Sequence, residues 1–296
     1  MSEISDMALE YSAHARDRHA PEYRQLELYS TKKKLPYAQD SESDAKRQRG
    51  SFSIEMAFAA LEGALTLAHP EIEGLPSWKK YLALNKKTAM DKVVAEVYRV
   101  LRIHHLAWVN RDSYFEVDEG GIRIRCVFQH CSLTLGISPV GMELLESFVG
   151  YYLDSFRQPY SEAYAEAVLI QYFIDIVQEI NAFSDEDRVL YQFHQAMPFN
   201  RHFRFDSDNP RYEFDDGMLK IEIGKRYDDP VRYPIDFYIV IDDATYIIPA
   251  EALKQGAISL ERLPRWRIRT ADGMHLPERF RLRFGRLENV VGLPMT

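Results

Sequence analysis

The stretch RYEFDDGMLKIEIG, Arg211–Gly224, alternates apolar and polar side chains on either side of Asp216-Gly217. A period of two sends alternate side chains to opposite faces of a strand, and Asp-Gly is a preferred pair for a tight hairpin turn. The stretch therefore reads as two paired strands. Downstream, PIDFYIVIDDATYIIP (Pro234–Pro249), RWRIR (Arg265–Arg269) and RFRLRF (Arg279–Phe284) repeat the twofold pattern between Asp-Asp and proline signals. Upstream of about Phe199 the period is different, and that change decides the fold.

From Ser53 the chain carries apolar residues at helical spacing among good helix formers, as in IEMAFAALEGALTLAH (Ile54–His69). Further helices are expected through Trp78–Lys87, Thr88–Trp108, Val140–Phe156 and Ser161–Phe183, the last apolar on several sides and so placed at the centre of a bundle. SDEDRVLYQF has a serine with capping-box spacing to Asp187, which predicts one more helix from Ser184. Between the third and fourth helices, Asp112–Ile137 alternates around Glu119-Gly120-Gly121, the pattern of a β-hairpin followed by a third strand. The expected class is α+β: a polar arm over residues 1–50, a helical bundle with an inserted β-hairpin over 51–199, and a C-terminal antiparallel β domain over 200–296.

Composition limits the function. A net charge of −8 opposes indiscriminate binding to nucleic acid, so any polyanion affinity must come from a local basic surface. Two cysteines are too few for a disulfide framework, and no long apolar run or secretory segment is visible, which points to a cytoplasmic protein with no membrane span. Lys32–Lys34 with Lys46, Arg47 and Arg49 read as a solvated linker rather than an import signal. Cys126, His130 and Cys131 lack the second ligand pair of a structural zinc site, and on one strand the two cysteines would face apart. Glu222 and Lys225 would face opposite ways on a strand, which argues against an acidic nuclease core. Glycine-rich phosphate loops, nucleophile elbows and zinc helices are missing, so no cofactor or metal is expected.

Two candidate sites stand out. In YRVLRIHHLAW (Tyr98–Trp108), a helical wheel puts His104 in the middle of the apolar face, Arg99 almost opposite, and Arg102 with His105 on the polar flank. On that wheel His104 is a packed, hydrogen-bonded residue and Arg102 a surface charge. At the other end of the chain, Arg265, Arg267 and Arg269 alternate with Trp266 and Ile268, and Arg279, Arg281 and Arg283 with Phe280, Leu282 and Phe284. If those strands pair, six guanidinium groups share one face and need anions to offset their repulsion. The anions are either the turn residues Asp215, Asp216, Asp228, Asp229, Asp242 and Asp243, or the phosphates or carboxylates of a partner.

An arginine with a histidine shortly after it, at the end of a bundle helix and ahead of a short hairpin, resembles the HEPN proteins over about residues 53–183. Many of these are metal-independent ribonucleases of toxin and antiviral systems. The resemblance implies that Arg99 with His104 or His105 acts on the RNA 2′-hydroxyl and scissile phosphate, usually across a dimer interface. From the residues themselves, the expected function is recognition: the arginine face docks an anionic partner, RNA or DNA or an acidic protein. The aromatic-rich bundle is expected to support a homodimer.

Overall fold

A computed structural model describes residues 22–25, 33–34, 50–110, 112–118, 121–156, 158–191, 198–200, 203–208 and 210–269. The class is α+β, as the change of period predicts. Among the described residues, 50–154 and 169–191 form one compact unit, while 22–25, 33–34, 155–168 and 198–269 form a second. The units thus interleave along the chain instead of dividing once near residue 199. Residues 155–168 go with the second unit for a local reason: Tyr164 donates a hydrogen bond from its hydroxyl to buried Asp236 at 2.9 Å.

The first unit holds α1 (Gly50–Ala68), α2 (Ser77–Ala83), α3 (Ala89–Val109), most of α4 (Pro139–Ser155) and the later part of α5 (Glu162–Glu179). Its sheet has four antiparallel strands in sequence order: β3 (Tyr114–Asp118), β4 (Gly121–Phe128), β5 (Cys131–Ile137) and β6 (Ile180–Ser184). Thr88 starts α3 with a full capping box, its hydroxyl accepting from Asp91 N–H while the Asp91 carboxylate accepts from Thr88 N–H. Helix α3 is enclosed by α1, α2 and the sheet, so its residues from Val93 through His104 are all buried. That enclosure corrects the single-faced wheel, since Arg99 and Arg102 are buried at 2% and 0% exposure.

Two local expectations also change. The segment expected to start a helix at Ser184 completes β6 and then turns. There the Asp185 carboxylate accepts N–H bonds from Asp187 and Arg188, and Arg188 takes a left-handed φ of 69°. An Asx-type turn competes with a helix cap for the same residues. Gln129 and His130, at φ 47° and 66°, form the tight turn between β4 and β5, so Cys126 and Cys131 lie on different strands instead of one. Gly121, at φ 120°, opens β4 where an added Cβ would strike the Ile137 carbonyl.

The second unit contains two sheets. One is antiparallel, ordered β12-β9-β8 from β8 (Tyr212–Asp215), β9 (Met218–Ile221) and β12 (Ala257–Ser259). Asp216 and Gly217 close the β8–β9 hairpin at φ 45° and 70°, as Arg211–Gly224 predicts. The other is a five-stranded sheet ordered β11-β10-β7-β1-β2, built from β1 (Glu22–Gln25), β2 (Lys33–Lys34), β7 (Phe203–Asp208), β10 (Ile235–Ile241) and β11 (Ala244–Pro249). It is mixed where an antiparallel sheet was expected: β7 runs parallel to both β10 and β1. RWRIR is not a strand, because Leu263–Trp266 forms a 3-10 turn and only Arg267 bridges to Tyr246. RFRLRF lies outside the described residues.

Candidate functional site

Arg99 leaves α3 one turn after Glu96 and meets the segment that follows β6. Its Nε and Nη2 donate to the two oxygens of Asp185, the Nη2 bond at 2.6 Å, while Nη1 donates to Glu96 at 3.1 Å. Tyr81 donates to the other Glu96 oxygen at 2.7 Å, and Tyr191 N–H donates to Glu96 at 3.1 Å. Burial alone would favour neutral Arg99, but bonding to Asp185 and the charges of Glu96 and Asp185 outweigh it and hold the charge more firmly than usual. Glu96 and Asp185 thus hold a guanidinium inside the unit by all three of its nitrogens. A fork so engaged has little left for a phosphate.

Arg102, one turn on, donates through Nη1 and Nη2 to Glu186 and lies 4.9 Å from the Trp78 ring. His104 and His105 turn elsewhere, to Glu55 on α1. His105 Nδ1 lies 2.6 Å from one Glu55 oxygen and His104 Nδ1 lies 3.6 Å from the other. Burial alone would raise the Glu55 carboxyl, yet the two imidazoles, by hydrogen bonding and charge, bring it down to about 2. Burial pushes His104 down, toward its neutral form, against the pull of Glu55. His104 packs edge-on to Phe115, and His105 stacks on Phe58 at 4.5 Å between centroids.

Arg99 and the two histidines therefore share a helix, but Arg99 is held by Asp185 and Glu96 while the histidines turn to Glu55. His104 is buried at 1% as the wheel predicts, and the His105 side chain keeps 30% exposure. Glu55, held as a carboxylate, orients the His105 ring through Nδ1. No group of three His, Cys, Asp or Glu side chains is placed to hold a metal ion among the described residues.

In the second unit, Arg265, Arg267 and Arg269 are exposed and alternate with buried Trp266 and Ile268, so the expected sidedness holds without a strand. Arg265 is 67% exposed and reaches Glu166 at 3.4 Å. Arg269 donates to the carbonyls of Tyr160 and Ser155 at 2.8 and 3.0 Å. Arg267 has no carboxylate partner among the described residues. The turn aspartates are engaged differently; Asp215 pairs with Lys220, and Asp229 accepts N–H bonds from Val231 and Arg232. Arg279, Arg281 and Arg283 lie outside the described residues.

Sequence reading missed a second enclosed charge cluster. Arg204 on β7 is fully buried, donating to Asp236 through Nε at 2.8 Å, to Glu251 through both Nη atoms at 2.6 and 2.8 Å, and to the Asn200 carbonyl at 2.9 Å. Its ring neighbour is Phe199, 4.1 Å from the guanidinium. The one available signal was Asp236 in the otherwise apolar run IDFYIVI, a charge that a buried strand tolerates only when paired. No known family, curated protein or solved structure matches the chain.

Proposed function

We propose that the protein is a cytoplasmic recognition protein that docks an anionic partner, a nucleic acid or an acidic protein surface, through Arg265, Arg267 and Arg269. One contrast carries the reading. Arg99, Arg102 and Arg204 are each closed by carboxylates in the interior, whereas the three exposed arginines have a single carboxylate contact among the described residues, the 3.4 Å approach of Arg265 to Glu166, and Arg269 is bonded only to main-chain carbonyls. Trp266 and Ile268, at 8% and 4% exposure, anchor the backbone between them. Exposed guanidinium groups suit phosphate or carboxylate oxygens, and on a chain of net charge −8 they make affinity local to their surface. Arg279, Arg281 and Arg283 belong to the same proposal as a further set of arginines downstream in the chain.

The test is binding of the purified chain to single-stranded RNA, duplex DNA and a poly-glutamate peptide across a salt series. Arg265→Glu with Arg267→Glu is expected to abolish binding while leaving the melting temperature nearly unchanged. A wild type that binds none of the three at low salt overturns the proposal.

The second reading, a HEPN-like metal-independent ribonuclease, rests on the half-exposed His105 held by Glu55 at 2.6 Å. Its arginine would have to leave Asp185. RNA cleavage in the presence of a chelator, lost in His105→Ala and Arg99→Ala, would support it; no cleavage removes it.

A further inference from the structure

Every residue of β8 is exposed, and the outer edge of this strand has no partner among the described residues. Its register fixes which backbone groups face that open edge. Asp215 and Met218 flank the two-residue turn, so they form a hydrogen-bonded pair, and the alternation makes Glu213↔Lys220 the next such pair. Two bonds agree with this register: Glu222 N–H donates to the Arg211 carbonyl, and Ile221 N–H points the other way, to Gly256. Tyr212 and Phe214 are therefore the non-bonded pairs of the hairpin. Their N–H and C=O groups point outward.

The same two residues expose large rings, Tyr212 at 37% and Phe214 at 53%, packed edge to face at 5.7 Å on one side of the strand. Natural edge strands are usually blunted by lysine, proline or a bulge. YEFD has none of these. Its charges are instead arranged to match their own reverse: Arg211 and Asp215 lie two residues either side of Glu213.

We propose that β8 is a self-association edge, at which two copies of the chain pair antiparallel about a twofold axis through Glu213, making one six-stranded sheet from two three-stranded ones. This goes beyond the anion-docking reading and uses different residues. In this register Tyr212 faces the second copy's Phe214 in reciprocal hydrogen-bonded pairs, which uses the outward N–H and C=O groups. The rings then form a four-membered aromatic patch on one face. On the other face Arg211 stands opposite the second copy's Asp215, twice by symmetry, giving charge complementarity. Glu213 meets itself on the axis, a like-charge contact that keeps the association weak and reversible. A different extended partner could use the same edge, but it would not need Arg211 and Asp215 spaced evenly about Glu213.

Sedimentation equilibrium of the full chain across a concentration series tests this. The expected result is a monomer–dimer equilibrium. Glu213→Gln should tighten it about threefold by removing the axial repulsion, and Phe214→Pro should weaken it about tenfold or more. Proline there removes an outward N–H without touching the ladder to β9, as edge positions allow. Should that variant lose its far-ultraviolet dichroism, Phe214→Lys, a charged blunting residue, replaces it. Directly opposed non-bonded residues have Cα atoms about 4.5 Å apart, within disulfide range. Oxidised Glu213→Cys should therefore give a reducible covalent dimer, while the off-axis control Gln255→Cys should not. A monomer at all concentrations, a dimer indifferent to both Phe214 variants, or equal cross-linking at positions 213 and 255 would overturn the proposal.

Discussion

The Arg99 guanidinium and the Asp185 carboxylate, 86 residues apart in sequence, meet through two hydrogen bonds with their side chains at 2% and 0% exposure. Asp185 also accepts the N–H groups of Asp187 and Arg188, so one carboxylate both neutralises α3 and shapes the chain leaving β6. A buried pair of this kind contributes less than its broken halves cost, because removing one partner strands the other in a low-dielectric interior.

Asp185→Ala should therefore destabilise the protein by about 3–5 kcal/mol. The triple change Arg99→Met with Glu96→Gln and Asp185→Ala should recover part of that loss, since it removes the Arg99 cation together with both carboxylates that hold it. Urea unfolding of both variants measures the difference; a triple variant less stable than the single would contradict the pairing.

The Glu55 cluster predicts two acid steps. Glu55 has a folded value near 2, below that of an unfolded glutamate, so its contribution is complete above the unfolded value and disappears as pH falls toward 2. His104 is also depressed, so the unfolded chain binds its proton more readily and stability declines as pH falls through the ordinary histidine range. Both steps run the same way. Melting temperatures against pH should show them, with Glu55→Gln flattening the lower step and His104→Leu the upper; an unchanged profile in either variant refutes its assignment.

For the second unit, Arg204→Met leaves Asp236 and Glu251 without their shared cation, and a loss of about 3–5 kcal/mol is expected. Tyr164→Phe removes the hydroxyl bond to Asp236, costing about 1.5–3 kcal/mol as a bond to a charged group. Denaturant titration should rank them in that order.

If the exposed arginines bind phosphates, the logarithm of affinity should fall linearly with the logarithm of salt, and the slope should shrink by about 0.9 for each arginine reversed on duplex DNA. Arg267→Glu alone should remove about one such unit. A slope unaffected by that change would assign binding to other residues.

Much of the architecture was legible because it rests on local chemistry. Asp216-Gly217 announces its hairpin, Thr88 and Asp91 announce the start of α3, and the period at Met90–Trp108 places His104 inside. Where distant chain decides, the sequence was silent or misleading. Nothing near Arg99 or Arg102 names Asp185 and Glu186 as partners, and a helix wheel assumes one buried face where α3 has neighbours on several. Ser184 and Asp187 have the spacing of a cap, but Asp185 is drawn into an ion pair and a turn. Parallel pairing of β7 with β10 and β1 leaves no mark in alternation, which reports faces and not direction.

The pairing of β1 with β7 has a consequence for synthesis. Glu22 aligns with Phe203, so the N-terminal strand leaves the ribosome and waits for a partner made about 180 residues later, on the order of ten seconds at ordinary elongation rates. In that interval the whole first unit emerges, from α1 through β6, and can close on itself. The five-stranded sheet thus cannot be completed until β7, β10 and β11 have all followed, and its order of birth makes the earliest strand a late joiner.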